Sequence, residues 1–202
     1  MAYQHDIFIS YRRQELTLEW INNQFIPLLK HHIFDELGRD PQFYVDTQLE
    51  SGTTWPVSLG SALGASRTII PLWTKAFPKS KWCSCELGHM LEREKRSGFR
   101  THDKPSGLVF PTIIHDGEKL PIAIATIQKT EIQECYNVRM SKYSPKAEIL
   151  DDLLKPLGKA IADAINNAPD WKQDWQIEAE NSFMQQFYIK DDESTQGQLP
   201  KF

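Results

Sequence analysis

The sequence predicts an α/β domain in which a mostly parallel sheet is covered by helices on both faces. Short apolar segments rich in β-branched and aromatic residues alternate with longer segments whose apolar residues recur at helical spacing. Apolar runs such as Ile7-Phe8-Ile9 and Ile69-Ile70 are typical of strands that are buried on both sides. This alternation of strands and helices favours a parallel sheet over an antiparallel one.

The first half of the chain begins with a strand and a helix. Residues 6–10 form a short apolar run with β-branched and aromatic side chains, which predicts a buried strand. Residues 15–34 place apolar side chains on one helical stripe, although Pro27 removes a backbone donor and predicts a kink or a break. A second strand is predicted over 42–46, and Gly52 is the turn signal of the loop that follows it.

Two further elements complete this half. Residues 55–65 predict a short helix, because Pro56 lies near its start, where a missing donor does no harm. Residues 67–73 predict the third strand, and Pro71 predicts an irregular end to it.

The second half continues the same alternation. Residues 81–96 predict a helix, and 107–114 predict the fourth strand. A fifth strand is predicted near 124–132, which makes a five-stranded sheet. Residues 146–167 carry one apolar stripe and predict a long helix, with Pro156 as the exception within it.

The pattern divides the chain into one main domain and an appendage. We expect the domain to cover 1–168, a helical extension to cover 169–189, and a polar tail over 190–202 to be disordered. The extension is predicted because aromatic residues recur in it at helical spacing. They are Trp171, Trp175, Phe183 and Phe187.

Composition narrows the class of protein. The 202 residues are 40% hydrophobic and 25% charged, and the net charge of -4 gives no electrostatic case for binding nucleic acid or an anionic membrane. No basic segment followed by an apolar run opens the chain, and no apolar stretch approaches the ~20 residues of a membrane span. We therefore expect a soluble, cytoplasmic protein. A local basic stretch is interpreted as a solvated helix end and loop: Arg93, Lys95, Arg96, Arg100 and Lys104.

Three blocks of sequence together resemble the Toll/interleukin-receptor (TIR) family, over about residues 5–165. Residues 6–13, Asp-Ile-Phe-Ile-Ser-Tyr-Arg-Arg, are similar to the opening strand and turn of that family. Residues 43–46 followed by 49–52 resemble its second strand and its BB loop. Residues 82–86, Trp-Cys-Ser-Cys-Glu, look like the Trp-x-x-x-Glu motif of NAD-cleaving TIR domains.

The resemblance implies a flavodoxin-like, open five-stranded sheet with its ligand site beyond the carboxyl ends of the strands, as is usual for such sheets. It implies an NAD glycohydrolase or cyclase of immune or anti-phage defence, with NAD as substrate, no cofactor and no metal. Glu86 would be catalytic. The residues implied to bind substrate are Tyr11, Arg12, Arg13, Asp46, Glu50, Gly52, Trp55 and Trp82.

The proposed roles follow from residue chemistry. Trp82 and Glu86 are four apart on a predicted helix and share one face. The positive end of that helix favours an ionised Glu86, which could stabilise the oxocarbenium character that develops on ribose when nicotinamide leaves. Arg12 and Arg13 suit the diphosphate, since the guanidinium offers a fork of donors, although one of them could be an ordinary surface charge.

Other interpretations stay open. The chain could be a non-catalytic adaptor that binds other TIR domains, or an enzyme that acts on free nucleosides. Activity could also depend on self-association or on a separate sensor or effector protein. Cys83, Cys85 and His89 could form a thiol or metal site, but the spacing lacks the signature of either. Glu86 itself could be an exposed acid in an early helical turn, and Trp82 could be core.

Overall fold

The computed structural model describes residues 2–46, 57–117, 120 and 122–176. Within these residues the chain forms one five-stranded sheet in which every pair of neighbouring strands is parallel. The strand order is β2-β1-β3-β4-β5, which is the flavodoxin-like order that the sequence predicted. The strands are β1 (His5–Tyr11), β2 (Phe43–Val45), β3 (Ser66–Trp73), β4 (Thr112–Ile113) and β5 (Thr130–Glu131).

Six α-helices connect or follow the strands in the described part of the chain. They are α1 (Glu15–Trp20), α2 (Ile26–Leu37), α3 (Val57–Gly64), α4 (Lys81–Arg96), α5 (Ile122–Ala125) and α6 (Pro145–Asn166). The bounds of α4 agree with the predicted 81–96, and those of α6 differ from the predicted 146–167 by one residue at each end.

Alternate residues of the central strands supply two separate cores. Ile7 and Ile9 of β1 face a cluster that contains residues of α2 and α6. Phe8 faces a second cluster, which contains Leu63 of α3 and Leu87 of α4. All three side chains of β1 are fully buried. The sheet is therefore the middle of three layers, as the doubly apolar strands predicted.

The first predicted helix continues past its proline. A π-helical segment, Ile21–Phe25, links α1 to α2, and Pro27 lies in the first turn of α2. The wide π turn therefore ends two residues before the proline that cannot donate, and the helix continues through Pro27 without breaking. Gly38 then ends α2 in the left-handed conformation, with φ of 66°.

Prolines set the limits of β4, which is shorter than the predicted 107–114. Strand β3 runs straight through Pro71, so the predicted irregular end was wrong. The register that joins Ile69 to Val109 also joins Leu72 to Thr112, and it places Pro71 beside Pro111. Pro71 has no N–H to donate toward Phe110, whereas Pro111 faces β5, where its carbonyl accepts from Thr130. The β3–β4 ladder is therefore interrupted at Pro71, and only Thr112–Ile113 forms a regular strand.

The predicted fifth strand near 124–132 was partly wrong, because the segment begins as a helix. Residues Ile122–Ala125 form α5, and only Thr130–Glu131 pair with β4. In α6, the helix continues through Pro156, which is exposed, as is Asp152 one turn earlier. Water can therefore satisfy the carbonyl that loses its partner, and the helix need not break.

The described end of the chain packs against the amino edge of the sheet. Residues Gln173–Gln176 form a 3-10 turn, and Trp175 lies with its ring 4.5 Å from the guanidinium carbon of Arg93. Tyr3 donates a hydrogen bond to the carbonyl of Pro169 at 2.8 Å. A helix was predicted over 169–189, and residues 177–202 lie outside the described part.

Arg93 corrects one interpretation of the sequence. It was assigned to a solvated basic stretch, but it is 3% exposed. Its guanidinium donates to the carbonyls of Ser66 at 2.6 Å and Leu63 at 3.3 Å. These backbone acceptors and the Trp175 ring replace water around the charge, so its burial is compensated.

Glu94, the next residue of α4, joins the helix to the segment that leads into β4. It is buried and receives two hydrogen bonds from Arg100, at 2.7 and 2.9 Å. It also accepts from the backbone N–H groups of Leu108 and Val109. One carboxylate thus satisfies two buried backbone donors and one guanidinium.

We predict that Glu94→Ala destabilises the protein by about 3 kcal/mol, because it leaves the Leu108 and Val109 N–H groups without an acceptor. Urea unfolding at pH 7 measures the change in the free energy of unfolding. Glu92→Ala is the control, since Glu92 is on the same helix and forms only an exposed ion pair with Arg96. The control should cost under about 0.5 kcal/mol. Equal losses in the two variants would contradict the assigned role of Glu94.

Candidate functional site

A pocket opens at the carboxyl ends of β1 and β2, beside the start of α4. It contains about 360 Å³ of space, part of it open to solvent. This position agrees with the predicted edge of the sheet. The lining residues are Ile9, Tyr11, Arg12, Arg13, Asp46, Ser80, Trp82, Cys83 and Glu86.

The start of α4 positions two of these residues. Ser80 is the N-cap, and its Oγ accepts a hydrogen bond from the backbone N–H of Cys83 at 3.4 Å. Trp82 follows in the first turn and is half-buried, so it is not simply core. Glu86 lies one turn later on the same face of the helix and is 5% exposed. The interpretation of Glu86 as an exposed acid was therefore wrong.

A residue of the sheet contacts the Glu86 side chain directly. Ser10 of β1 is 1% exposed, and its Oγ donates a hydrogen bond to Oε2 of Glu86 at 2.5 Å. A carboxylate that accepts a hydrogen bond from a hydroxyl group in a buried site is strongly oriented by it. The two elements that form the pocket floor are thus joined by a direct side-chain contact.

Burial controls the ionisation of Glu86. It raises the pKa of Glu86 to about 7, against the opposing effects of the Ser10 hydrogen bond and the positive charge of Arg13. The sequence had favoured an ionised carboxylate on account of the helix start. That prediction was wrong, because removal from water penalises the charged form by more than the neighbouring groups favour it. Glu86 can therefore exchange a proton near neutral pH.

The other lining residues form a second group at the end of β1. Tyr11 is buried, and its hydroxyl donates to the backbone carbonyl of Asp46 at 3.0 Å. Arg13 forms an ion pair with the Asp46 carboxylate. Arg12 is exposed and lines the pocket, and it makes no hydrogen bond or ion pair with another described residue. Arg12 therefore has donors available for a ligand, whereas Arg13 is engaged with Asp46.

The structure brings six of the nine predicted site residues into one pocket. Glu50, Gly52 and Trp55 lie outside the described residues, and their roles stay predictions. Sequence reasoning missed Ser10 and Ser80. A capping signal was available for Ser80, a serine directly before a helix. Ser10 offered only a polar residue at the end of an apolar strand.

The cysteine interpretations find little support. Burial raises the pKa of Cys83 to about 12, and the charge of Glu86 acts in the same direction, so the thiol stays protonated. Burial lowers the pKa of His89 to about 4, aided by the charge of Arg93. The described residues contain no group of three His, Cys, Asp or Glu side chains arranged to hold a metal. None of their helices is long and apolar enough to cross a membrane.

Comparison with known proteins finds similarity among solved structures. No protein-family model matches the chain, and no curated protein matches it. Among solved structures it is similar to the TIR domains of the activated Roq1 resistosome that directly recognises the pathogen effector XopQ. The TM-score is 0.39 and the identity 17%, over 81% of this chain and 84% of that chain. The fold assignment therefore rests on the strand order and register of this chain.

We predict that the buried Glu86 makes the protein less stable as pH rises from 5 to 8. In the folded protein the pKa of the Glu86 carboxyl group is about 7, whereas the ordinary pKa of this side chain is 4.5. Stability from this group is thus complete below the ordinary pKa and is lost as pH rises through the folded pKa. The difference is on the order of 3 kcal/mol.

Urea unfolding of wild type and Glu86→Gln at both pH values measures this loss. Glu86→Gln, which cannot ionise, should gain stability relative to wild type between pH 5 and 8. Glu92→Gln, which alters an exposed ion pair on the same helix, should follow the wild-type curve. A pH dependence that is the same in all three proteins would contradict the raised pKa.

Proposed function

We propose that the protein cleaves the bond between nicotinamide and ribose in NAD, as an NAD glycohydrolase or cyclase. The observation that carries the proposal is the burial of Glu86 and its position in the pocket. It is a buried carboxyl group at the floor of an open pocket, it has the spacing from Trp82 that the TIR resemblance requires, and it accepts a hydrogen bond from Ser10.

Glu86 would act on the developing positive charge. When the bond from ribose C1′ to the nicotinamide nitrogen breaks, its electron pair neutralises the pyridinium, and nicotinamide leaves as a neutral ring. The sugar is left with oxocarbenium character, which an adjacent carboxylate stabilises most effectively where water is excluded. The positive charge of bound NAD would also favour the ionised form of Glu86, since an opposite charge lowers the pKa of a carboxyl group.

The rest of the pocket suits the remainder of the substrate. Arg12 is exposed at the pocket and has no ion-pair partner among the described residues, so its fork of donors suits a diphosphate. Trp82 and Tyr11 offer aromatic faces for a planar ring. Asp46 would set the position of Arg13 through their ion pair, more than contact the ribose itself.

Two products are compatible with this site. Water attacking C1′ would give ADP-ribose, and an adenine nitrogen of the same molecule would give a cyclic isomer. We further propose that the activity serves immune or anti-phage signalling and responds to self-association or to a separate sensor protein. These proposals follow from the family resemblance.

We predict that the purified protein releases nicotinamide from NAD and that Glu86→Ala and Glu86→Gln abolish the release. Chromatography of the products at low and high protein concentration measures it. The co-product would distinguish hydrolase from cyclase, and a more than linear dependence on protein would indicate assembly. Wild-type activity should rise with pH through about 7 as Glu86 ionises.

Glu92→Gln is the matched control and should keep full activity, because its ion pair lies on the exposed part of α4. Activity that survived both Glu86 substitutions would refute the proposal. No release by wild type at any concentration would favour the adaptor function or an enzyme that needs its trigger.

We predict that Arg12→Ala raises the KM for NAD about tenfold, with a smaller effect on kcat, because it removes a charged donor to the diphosphate. Steady-state kinetics at low and moderate salt measure the change. Arg96→Ala is the control, since Arg96 lies at the far end of α4. An unchanged KM in Arg12→Ala would exclude Arg12 from substrate binding.

A further inference from the structure

Ser10 is the buried polar residue through which the sheet contacts Glu86. It is 1% exposed and pairs in register with Pro71 of the neighbouring strand, so its backbone position is fixed by the centre of the sheet. Its hydroxyl donates a hydrogen bond to Oε2 of Glu86 at 2.5 Å. No other side-chain hydrogen bond joins Glu86 to the described residues, so Oε1 has no hydrogen-bond partner among them, and Glu86 lines the pocket.

We propose that Ser10 is a positioning residue: its hydrogen bond holds Oε2 of Glu86 against the sheet and leaves Oε1 to meet the ribose of the substrate. The inference deepens the proposed function and rests on it for the identity of the substrate. The hydroxyl acts in two ways, because it fixes the rotation of the carboxyl group and favours its ionised form.

The titration of Glu86 can be followed separately from that of the side chains around it. The titratable side chains that face it are Tyr11, Tyr44 and Cys83, together with Arg13. Burial raises the pKa of each of the two tyrosines and of Cys83 above its ordinary value, so all three stay neutral near pH 7. Ser10 also lowers the pKa of Cys83 through a side-chain hydrogen bond, but without it the thiol would be still harder to ionise. Glu86 is therefore the member of this group that changes charge in the neutral range and reports a change at Ser10 there.

The test compares Ser10→Thr with Ser10→Val. These two side chains have nearly the same shape and add the same bulk to the strand, but only threonine keeps a hydroxyl. Ser10→Ala removes the hydroxyl without adding bulk. Ser66→Ala is the matched control, because Ser66 is a fully buried serine of β3 whose hydroxyl donates to a carbonyl, that of Ala62, at the opposite edge of the sheet.

Two readouts are measured on each variant of the full chain. The first is the carboxyl titration of Glu86 by NMR of protein with ¹³C-labelled glutamate, assigned by the signal that disappears in Glu86→Gln. The second is the pH profile of kcat for nicotinamide release. A purely structural role of Ser10 would lower stability but would leave both midpoints unchanged.

We expect the Glu86 midpoint to move to higher pH in Ser10→Ala and Ser10→Val, and to stay near the wild-type value in Ser10→Thr and Ser66→Ala. At pH 7, kcat should fall about 10- to 100-fold in the two variants without a hydroxyl, with little change in KM. A Glu86 midpoint that is equal in Ser10→Thr and Ser10→Val would overturn the inference. If neither the wild type nor any variant released nicotinamide, the proposed function would lack support and kcat could not be compared, whereas the NMR titration would still decide whether Ser10 sets the ionisation of Glu86.

Discussion

Helix α4 is fixed to the sheet by buried polar contacts near both of its ends, and the candidate site depends on this attachment. At one end Glu86 meets Ser10 of β1, and at the other Arg93 donates to the carbonyl of Ser66 at the start of β3. The two residues are seven apart and therefore share one face of the helix. A helix held in this way cannot turn Glu86 out into water, so the carboxyl group keeps both its orientation and its unfavourable solvation.

The chemistry of the pocket follows from competition between two electrostatic effects. Desolvation favours a neutral Glu86, while Ser10 and Arg13 favour the charged form. Because desolvation prevails, the resting carboxyl group sits near the balance between its two states. A cationic substrate would lower the pKa of Glu86 and so favour its carboxylate form. The carboxylate would in turn stabilise the positive charge of the substrate. An exposed glutamate on the same helix would be ionised beforehand, and water would screen its charge.

Periodicity predicted the layered sheet well, because doubly apolar strands and striped helices are local patterns. It also predicted α4, which has a clear start and a basic end. It failed for β4, since the limit there is set by Pro71 of the neighbouring strand, and only the register between two distant segments shows which residues it faces. Arg93 and Glu94 carry no local sign of burial, and their partners are backbone groups that only the tertiary structure identifies.

The pocket was predicted in a different way. The resemblance to a family named six of the residues that now line it, whereas hydropathy alone would have singled out none of them. The ionisation of Glu86 was mistaken because sequence shows a helix start but not how deeply a side chain is covered. Ser10 was overlooked for the same reason, as its importance lies in a contact across 76 positions of the chain.

The hydrogen bond from Tyr3 to Pro169 brings the two ends of the described domain together on the amino edge of the sheet. The pocket opens at the carboxyl edge, on the opposite side. Tyr3 and Pro169 therefore lie on the far side of the sheet from the pocket. Such an arrangement is modular: the contact that closes the described domain and the pocket occupy opposite edges of one sheet, so a change at one need not disturb the other.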